Sequence, residues 1–241
     1  MCNKTSTGKE QRVHVPDGFL DAPTSVGTAV VATGVVAACL VRSARHELTD
    51  RSAPLAGLVA VFVFAAQMVT FPVGAGTSGH LLGGVLAAVL VGPATATLCL
   101  TVVVTVQAFL FADGGVSALG TNVLLMGVVA VWVGYAAFRV ALAVLPRRLS
   151  SVSLAAGVGA FVSVPTAALA FVGLYAVGGA APIPLASLAA VMTGWHVVIG
   201  LGEAVITVLA VSSVVAARPD LVHGARGRLP VLELRTPEPV A

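Results

Sequence analysis

The chain has 241 residues, of which 58% are apolar and only 10% are charged, and its mean hydropathy is +1.02. Soluble domains carry roughly a quarter charged residues, so this composition excludes an ordinary soluble protein and indicates a surface that faces the lipid bilayer. The net charge of +3 does not indicate a nucleic-acid partner, because the arginines lie at the ends of apolar segments, where membrane orientation places them.

The chain begins with a polar stretch, residues 1–12, that lacks the apolar centre of a secretory signal peptide. Apolar runs on the scale of about 20 residues, the length that a membrane-spanning helix needs, then follow one another. They lie at 24–43, 53–71, 79–91, 93–112, 119–145, 152–178 and 186–217, and the third is short. The sequence therefore predicts an all-α fold, a polytopic membrane bundle of about seven transmembrane helices.

Polar and Pro-rich residues follow the last apolar run, and we expect the tail from Arg218 onward to be poorly ordered. We divide the chain accordingly. Residues 1–12 form a leading extension, residues 13–217 form the membrane domain, and residues 218–241 form a polar tail on the cytoplasmic side.

Basic residues fall on one side of the predicted topology. Arginines occupy the loop after the first span, the end of the fifth span and the tail, whereas loops 72–78, 113–118 and 179–185 hold no basic residue. The arginine-rich side is therefore cytoplasmic, which places the start of the chain outside and its end inside. Lys4, Lys9 and Arg12 are the exception, because they put positive charge on the outer side.

Two histidines near the outer side are candidate metal ligands. His14 precedes a Pro-Asp-Gly turn at residues 16–18, which fixes the direction of the chain around it. His80 follows the run Gly76-Thr77-Ser78-Gly79, in which a hydroxyl residue can cap a helix. We therefore expect His80 in the first turn of a helix, where the helix dipole favours the neutral imidazole that binds metal. A solvated or merely structural histidine remains the alternative at both positions.

Further polar residues can support such a site. Gln107, Asp113 and Asn122 can donate or accept hydrogen bonds that orient a ligating imidazole, although a turn and a helix start would also explain the last two. His196 and Glu203, seven residues apart in the last span, share one helix face. Placing a carboxylate inside a membrane helix costs free energy, so Glu203 is a functional candidate. A structural hydrogen bond between helices is the equal alternative.

Together these motifs resemble the CbiM/NikM family, the cobalt- and nickel-binding S components of energy-coupling factor (ECF) transporters. The resemblance extends from about Val13 to Leu221 and is carried by residues 14–20, 64–69, 76–84, 107–115, 118–122 and 196–203. It implies a seven-helix bundle in the cell membrane, whose N-terminal segment enters the bundle and holds the ion in a square plane of nitrogen atoms. Carried over, the ligands are the amine of Val13, the backbone and imidazole nitrogens of His14, and the imidazole of His80. Polar residues around this site would support it or the helix packing; they are Asp17, Gln67, Ser78, Gln107, Asp113, Asn122, His196 and Glu203.

The sequence departs from the family pattern at its start, because twelve residues precede Val13 and leave it without a free amine. We hypothesise that residues 1–12 are absent from the working protein. Valine is how an internal GTG start codon would be translated, and proteolytic trimming before Val13 would have the same effect. Either event also removes Lys4, Lys9 and Arg12, which disagree with the predicted orientation.

The resemblance implies a transport component rather than an enzyme, with Co²⁺ or Ni²⁺ as the transported substrate and no permanent cofactor. No lysine occurs after Lys9, so the chain cannot carry a nucleotide-binding P-loop. The implied partners are an ECF coupling (T) membrane subunit, two ATPase subunits and a small accessory subunit of the CbiN/NikN type, and the cobalt could supply cobalamin biosynthesis. Two alternatives remain: a rhomboid-like intramembrane serine protease that uses Ser78 and His196, and a secondary metal transporter that works alone.

Overall fold

The structure, a computed structural model, describes residues 14–74 and 77–229. Within them, five apolar helices are long enough to cross a membrane, which confirms the predicted all-α, multi-pass membrane fold. In chain order the helices are α1 (Ala22–Arg42, extended by a π-helical turn Ser43–Glu47), α2 (Ala53–Gln67), α3 (Gly84–Val91), α4 (Pro93–Leu110), α5 (Leu119–Asn122, joined by a π-helical stretch Val123–Ala130 to α6, Val131–Val144), α7 (Ser150–Gly178) and α8 (Leu185–Ala217). Each of the seven apolar runs contains at least one helix, while the number of crossings and the orientation stay predictions.

The third apolar run forms a much shorter helix than its neighbours. Helix α3 has eight residues, all of them apolar or glycine and all buried. A helix that is apolar on every side is expected in the interior, and α3 lies at the centre of the bundle, in contact with α2, α4, α6, α7 and α8. Before it, two short antiparallel strands, β1 (Phe71–Gly74) and β2 (Thr77–Gly79), form a hairpin.

Helix α3 ends at Gly92, whose φ of +95° lets the chain reverse into α4. A second reason for glycine is space, because a Cβ here would lie 2.6 Å from the carboxylate carbon of Glu47. Glu47 is 2% exposed and accepts hydrogen bonds from the backbone nitrogens of Ala94 (3.2 Å) and Thr95 (2.7 Å). Its carboxylate therefore satisfies the free N–H groups at the start of α4.

The chain after α8 is folded as far as the structure describes it, so the expectation of a poorly ordered tail is wrong for residues 219–228. Two 3-10 turns, Pro219–Leu221 and His223–Arg228, follow the helix, and the side chains of Val222 and Ala225 are fully buried beneath α3. The Arg228 guanidinium donates hydrogen bonds to the last carbonyl oxygens of α6 and its turn, those of Leu142, Leu145 and Pro146. Two apolar contacts and this cap hold the tail on the bundle.

Candidate metal site

The segment before α1, residues 14–20, forms an N-terminal arm that packs on the bundle, with His14 and Leu20 buried at its ends and Asp17 and Gly18 exposed between them. Its C-terminal end is held by the turn after α7, since Ala180 N donates to Phe19 O (3.0 Å) and Asp21 N donates to Gly178 O (2.7 Å). The ring of Phe19 packs against Tyr175, with ring centroids 5.4 Å apart. The arm is thus a fixed part of the fold rather than a loose leader to α1.

The N-terminal end of the arm is clamped by hydrogen bonds to Asn122, at the end of α5. The backbone nitrogen of Val15 donates to Asn122 Oδ1 (3.0 Å), and Asn122 Nδ2 donates to Val15 O (3.2 Å). Gly115 N donates to the same carbonyl oxygen at 2.9 Å. Asn122 therefore acts through the backbone next to His14, whereas the sequence suggested that it would orient an imidazole directly.

Close approach between the arm and residues 113–117 requires small residues on that loop. A Cβ on Gly115 would lie 2.8 Å from the Cα of Asp17, and one on Gly114 would lie 2.9 Å from the Cβ of His14. Asp17 Oδ1 accepts hydrogen bonds from both the backbone nitrogen (2.8 Å) and the hydroxyl (2.6 Å) of Ser117. Ser117 was not predicted as part of the site, although the adjacent Gly114 and Gly115 are a usable signal in the sequence of close backbone contact.

These contacts bring the two predicted histidines together. The ring centroids of His14 and His80 are 4.8 Å apart, with an interplanar angle of 78°, and the residues are 5% and 7% exposed. Burial lowers the pKa of the His14 imidazole from its ordinary value, and the nearby Asp113, by its charge and its carbonyl oxygen, opposes the shift in part. A lowered pKa keeps the ring neutral at neutral pH, which is the form that binds a metal ion.

The backbone around His80 differs from the prediction. His80 does not lie in a helical turn: residues 80–83, the His80 segment, are irregular, and the helix begins at Gly84 with Gly83 in a left-handed conformation (φ +72°). His80 Nδ1 lies 2.8 Å from the carbonyl oxygen of Leu81. A carbonyl only accepts, so Nδ1 carries the proton and Nε2 keeps the lone pair that a metal needs.

Of the remaining predicted residues, two bond to the His80 segment and the others bond elsewhere. Gln67 and Glu203 contact the His80 segment through its backbone. Gln107 is fully buried; its backbone oxygen accepts from Asp113 N (3.0 Å), and its side-chain nitrogen lies 3.9 Å from Met68 Sδ. His196 is hydrogen bonded through Nδ1 to Met192 O (2.7 Å) within its own helix. Val13 and the side chain of Ser78 lie outside what the structure describes.

The described residues supply two imidazoles and no larger cluster. Among residues 14–74 and 77–229, no group of three or more His, Cys, Asp or Glu side chains could hold a metal ion. His14 Nε2 and the side-chain oxygens of Gln67 and Gln107 are buried and have no hydrogen-bond partner among these residues. A metal ion at the histidine pair would therefore need further donors from the backbone, from the residue that precedes His14, or from water.

Comparison with known proteins finds relatives that are named as metal transport proteins. The family model described as "Cobalt uptake substrate-specific transmembrane region", CbiM, matches residues 14–221. A Haloquadratum walsbyi protein, provisionally named a metal transport protein, is 40% identical over 87% of this chain and 93% of its own length. An Archaeoglobus fulgidus protein, provisionally named a fused nickel transport protein NikMN, is 37% identical over 90% of this chain and 71% of its own length. The crystal structure of a truncated transition metal transporter superposes with a TM-score of 0.78 at 29% identity, covering 85% of this chain and 99% of the other.

Proposed function

Because the chain belongs to the CbiM family of cobalt-uptake membrane proteins, we propose that it is the substrate-binding component of an ATP-driven, ECF-type transporter that imports Co²⁺ or Ni²⁺. The observation that carries this proposal is the buried pair of His14 and His80, whose ring centroids are 4.8 Å apart. Neutral imidazoles are common ligands of both metals, and burial protects the bound ion from water. The chain performs no covalent chemistry, since its task is to exchange the water of the ion for nitrogen donors.

Two imidazole nitrogens do not complete the coordination of a metal ion, so the ligand set needs further donors. We propose that the working protein begins at Val13, so that its amine and the backbone nitrogen of His14 complete a square plane with the two imidazoles. The small number of ligating side chains in the described part of the chain supports donors from the backbone. Square-planar nitrogen sites suit Ni²⁺ well and Co²⁺ less well.

The proposed partners are a coupling membrane subunit, two ATPases and an accessory subunit of the CbiN/NikN type. Support for the last comes from the fused nickel transport proteins among the relatives, such as the Rhodobacter capsulatus NikMN, which is 32% identical over 89% of this chain and 65% of its own length. Cobalt delivered in this way could supply cobalamin synthesis. No observation favours the rhomboid-like alternative at Ser78 and His196, since the relatives are named as transport proteins.

Uptake of radioactive Co²⁺ or Ni²⁺ by cells tests the proposal. Cells that express the chain together with coupling and ATPase subunits are expected to accumulate the ion, and cells that express the chain with catalytically inactive ATPases are not. Equal uptake in both strains would identify a transporter that works alone on a gradient. Absence of uptake in both strains, with the proteins present in the membrane, would contradict a role in metal import.

Asn122→Leu is expected to weaken metal binding about 10- to 100-fold, the range typical for residues that position a ligand. The substitution keeps the volume but removes both hydrogen bonds that hold the backbone of Val15 beside His14. Calorimetric titration with Ni²⁺ measures the loss. Ser163→Ala is the matched control, because among the residues that the structure describes this buried hydroxyl bonds only within its own helix, to Ala160 O. If Asn122→Leu binds Ni²⁺ as tightly as Ser163→Ala does, the hydrogen bonds of Asn122 do not position His14.

A further inference from the structure

In the His80 segment, the backbone N–H groups of Leu82 and Gly83 have a side chain, not a helix or a sheet, as their hydrogen-bond partner. The segment leaves β2 at Gly79 and enters α3 at Gly84, and the residues between them are irregular and, except for the half-buried Leu81, buried. In the interior of a membrane protein an unpaired N–H or C=O group costs several kcal/mol, so such a backbone persists only where side chains replace the missing partners. The position of His80 therefore depends on the residues that supply these partners.

Glu203 of α8 supplies two acceptors to this segment. Its Oε2 accepts from the backbone nitrogen of Leu82 at 2.6 Å, and its Oε1 accepts from the backbone nitrogen of Gly83 at 3.0 Å. Glu203 is 2% exposed, and no basic side chain forms a salt bridge with it in the described part of the chain. One carboxylate thus accepts from two consecutive N–H groups with one oxygen each, whereas an amide side chain offers a single acceptor oxygen.

Whereas Glu203 is an acceptor, Gln67 of α2 holds the same segment as a hydrogen-bond donor. Its side-chain nitrogen donates to the carbonyl oxygen of Leu82 at 2.8 Å. The left-handed Gly83 leaves little room for movement, because a Cβ there would lie 2.9 Å from Val63 of α2. Residues of α2 and α8 therefore fix the backbone two and three positions after His80 from both sides.

We propose that Glu203 is a positioning residue that holds the metal-ligating ring of His80 through the backbone of Leu82 and Gly83, and so couples the movement of α8 to the fourth position of the metal site. This inference rests on the proposed function, because it assigns His80 as a ligand.

Helix α8 is suited to such coupling by its length and continuity. It extends without a proline from Leu185 to Ala217, and Glu203 lies about 21 Å from its last residue at 1.5 Å per residue. A shift of α8 that withdraws the carboxylate leaves two buried N–H groups unpaired and frees the His80 segment. The ion then loses one ligand without any change at the N-terminal arm, which is a route from tight to weak binding.

The test compares Ni²⁺ affinity and the ligand-field absorption spectrum among variants that are expressed from the whole gene, purified from membranes and shown by intact mass to carry the same N-terminus. Glu203→Gln is expected to lose about 10- to 100-fold in affinity, and its Ni²⁺ spectrum is expected to shift in the same direction as that of His80→Ala. The double variant Glu203→Gln/His80→Ala is expected to bind no more weakly than His80→Ala alone, because two residues that act through one ligand are not additive.

Glu47→Gln is the matched control. Glu47 has the same 2% exposure and also accepts backbone hydrogen bonds, but it does so at the start of α4. It is expected to retain the wild-type spectrum and affinity. If Glu47→Gln changes the spectrum as Glu203→Gln does, the effect is a general loss of packing and the positioning role is contradicted.

A second variant keeps the inference testable if Glu203→Gln does not fold. Gln67→Met preserves shape and removes only the donor to Leu82 O, so a smaller change in the same spectral direction is expected. A wild-type spectrum and affinity in Gln67→Met, or in folded Glu203→Gln, would overturn the inference while the wild-type protein still binds metal. Failure of the wild-type protein to bind Ni²⁺ or Co²⁺ would instead overturn the proposed function.

Discussion

Protein that begins at Val13 is expected to bind Ni²⁺ more than about 100-fold more tightly than protein that keeps residues 1–12, because losing a ligand exceeds the cost of losing a residue that orients one. With the extension present, the nitrogen of Val13 belongs to a peptide bond, which is a poor metal donor. When the chain starts at this residue, its deprotonated amine becomes available beside His14. Competition titration against a chelator of known affinity measures both forms.

The chain offers a selective control for the amine. No lysine occurs after Lys9, so in protein that begins at Val13 the terminal amine is the sole aliphatic amine that acetylation can reach. Acetylated protein is expected to bind as weakly as the form with residues 1–12, although it has the same length as the tight form. Equal affinity of the acetylated and free forms would remove the amine from the ligand set.

His80→Ala is expected to reduce Ni²⁺ affinity by more than about 100-fold, since it removes a ligand rather than a supporting residue. The ring of His80 lies against His14. Its Nε2 is the nitrogen available to a metal ion, because Nδ1 is hydrogen bonded to Leu81 O. The same titration measures the loss, and the absorption spectrum reports the change in ligand number.

His196→Ala is the control for that variant. His196 is a further, half-buried histidine, and its Nδ1 bonds to Met192 O inside α8. It is expected to bind Ni²⁺ within a few-fold of the wild type. A loss in His196→Ala as large as that in His80→Ala would assign the fourth ligand to α8, and an unchanged His80→Ala would exclude the histidine pair as the site.

The helices could be predicted from the sequence because the membrane makes the rule simple. Long apolar runs have few alternatives to helix in lipid, so α1, α4, α7 and α8 lie close to their predicted ranges. The third run was the exception. Its first residues, from Gly79 to Gly83, do not form a helix, because the backbone of Leu82 and Gly83 bonds to Glu203 and Gln67, which are distant in sequence. Local capping by Thr77 or Ser78 could not reveal that a remote carboxylate would hold this backbone.

The histidine pair of the candidate site was predictable, and its supports were predictable only in part. His14 and His80 were selected for their turn and glycine contexts, and the structure places them together. Asn122 was selected as a polar residue near the outer side, yet its bonds to Val15 depend on how the arm crosses α5, which no local pattern encodes. Folding of the tail was missed for a similar reason, since Val222 and Ala225 are apolar residues within a polar segment.

X-ray absorption spectroscopy of Ni²⁺-loaded protein purified from membranes, together with the intact mass of the same sample, tests the proposed metal site most directly. The predicted result is a square plane of nitrogen atoms, two of them from imidazole rings, on a chain whose mass corresponds to a start at residue 13. An oxygen-rich coordination shell, or the same nitrogen shell on a chain that retains all of residues 1–12, would contradict it.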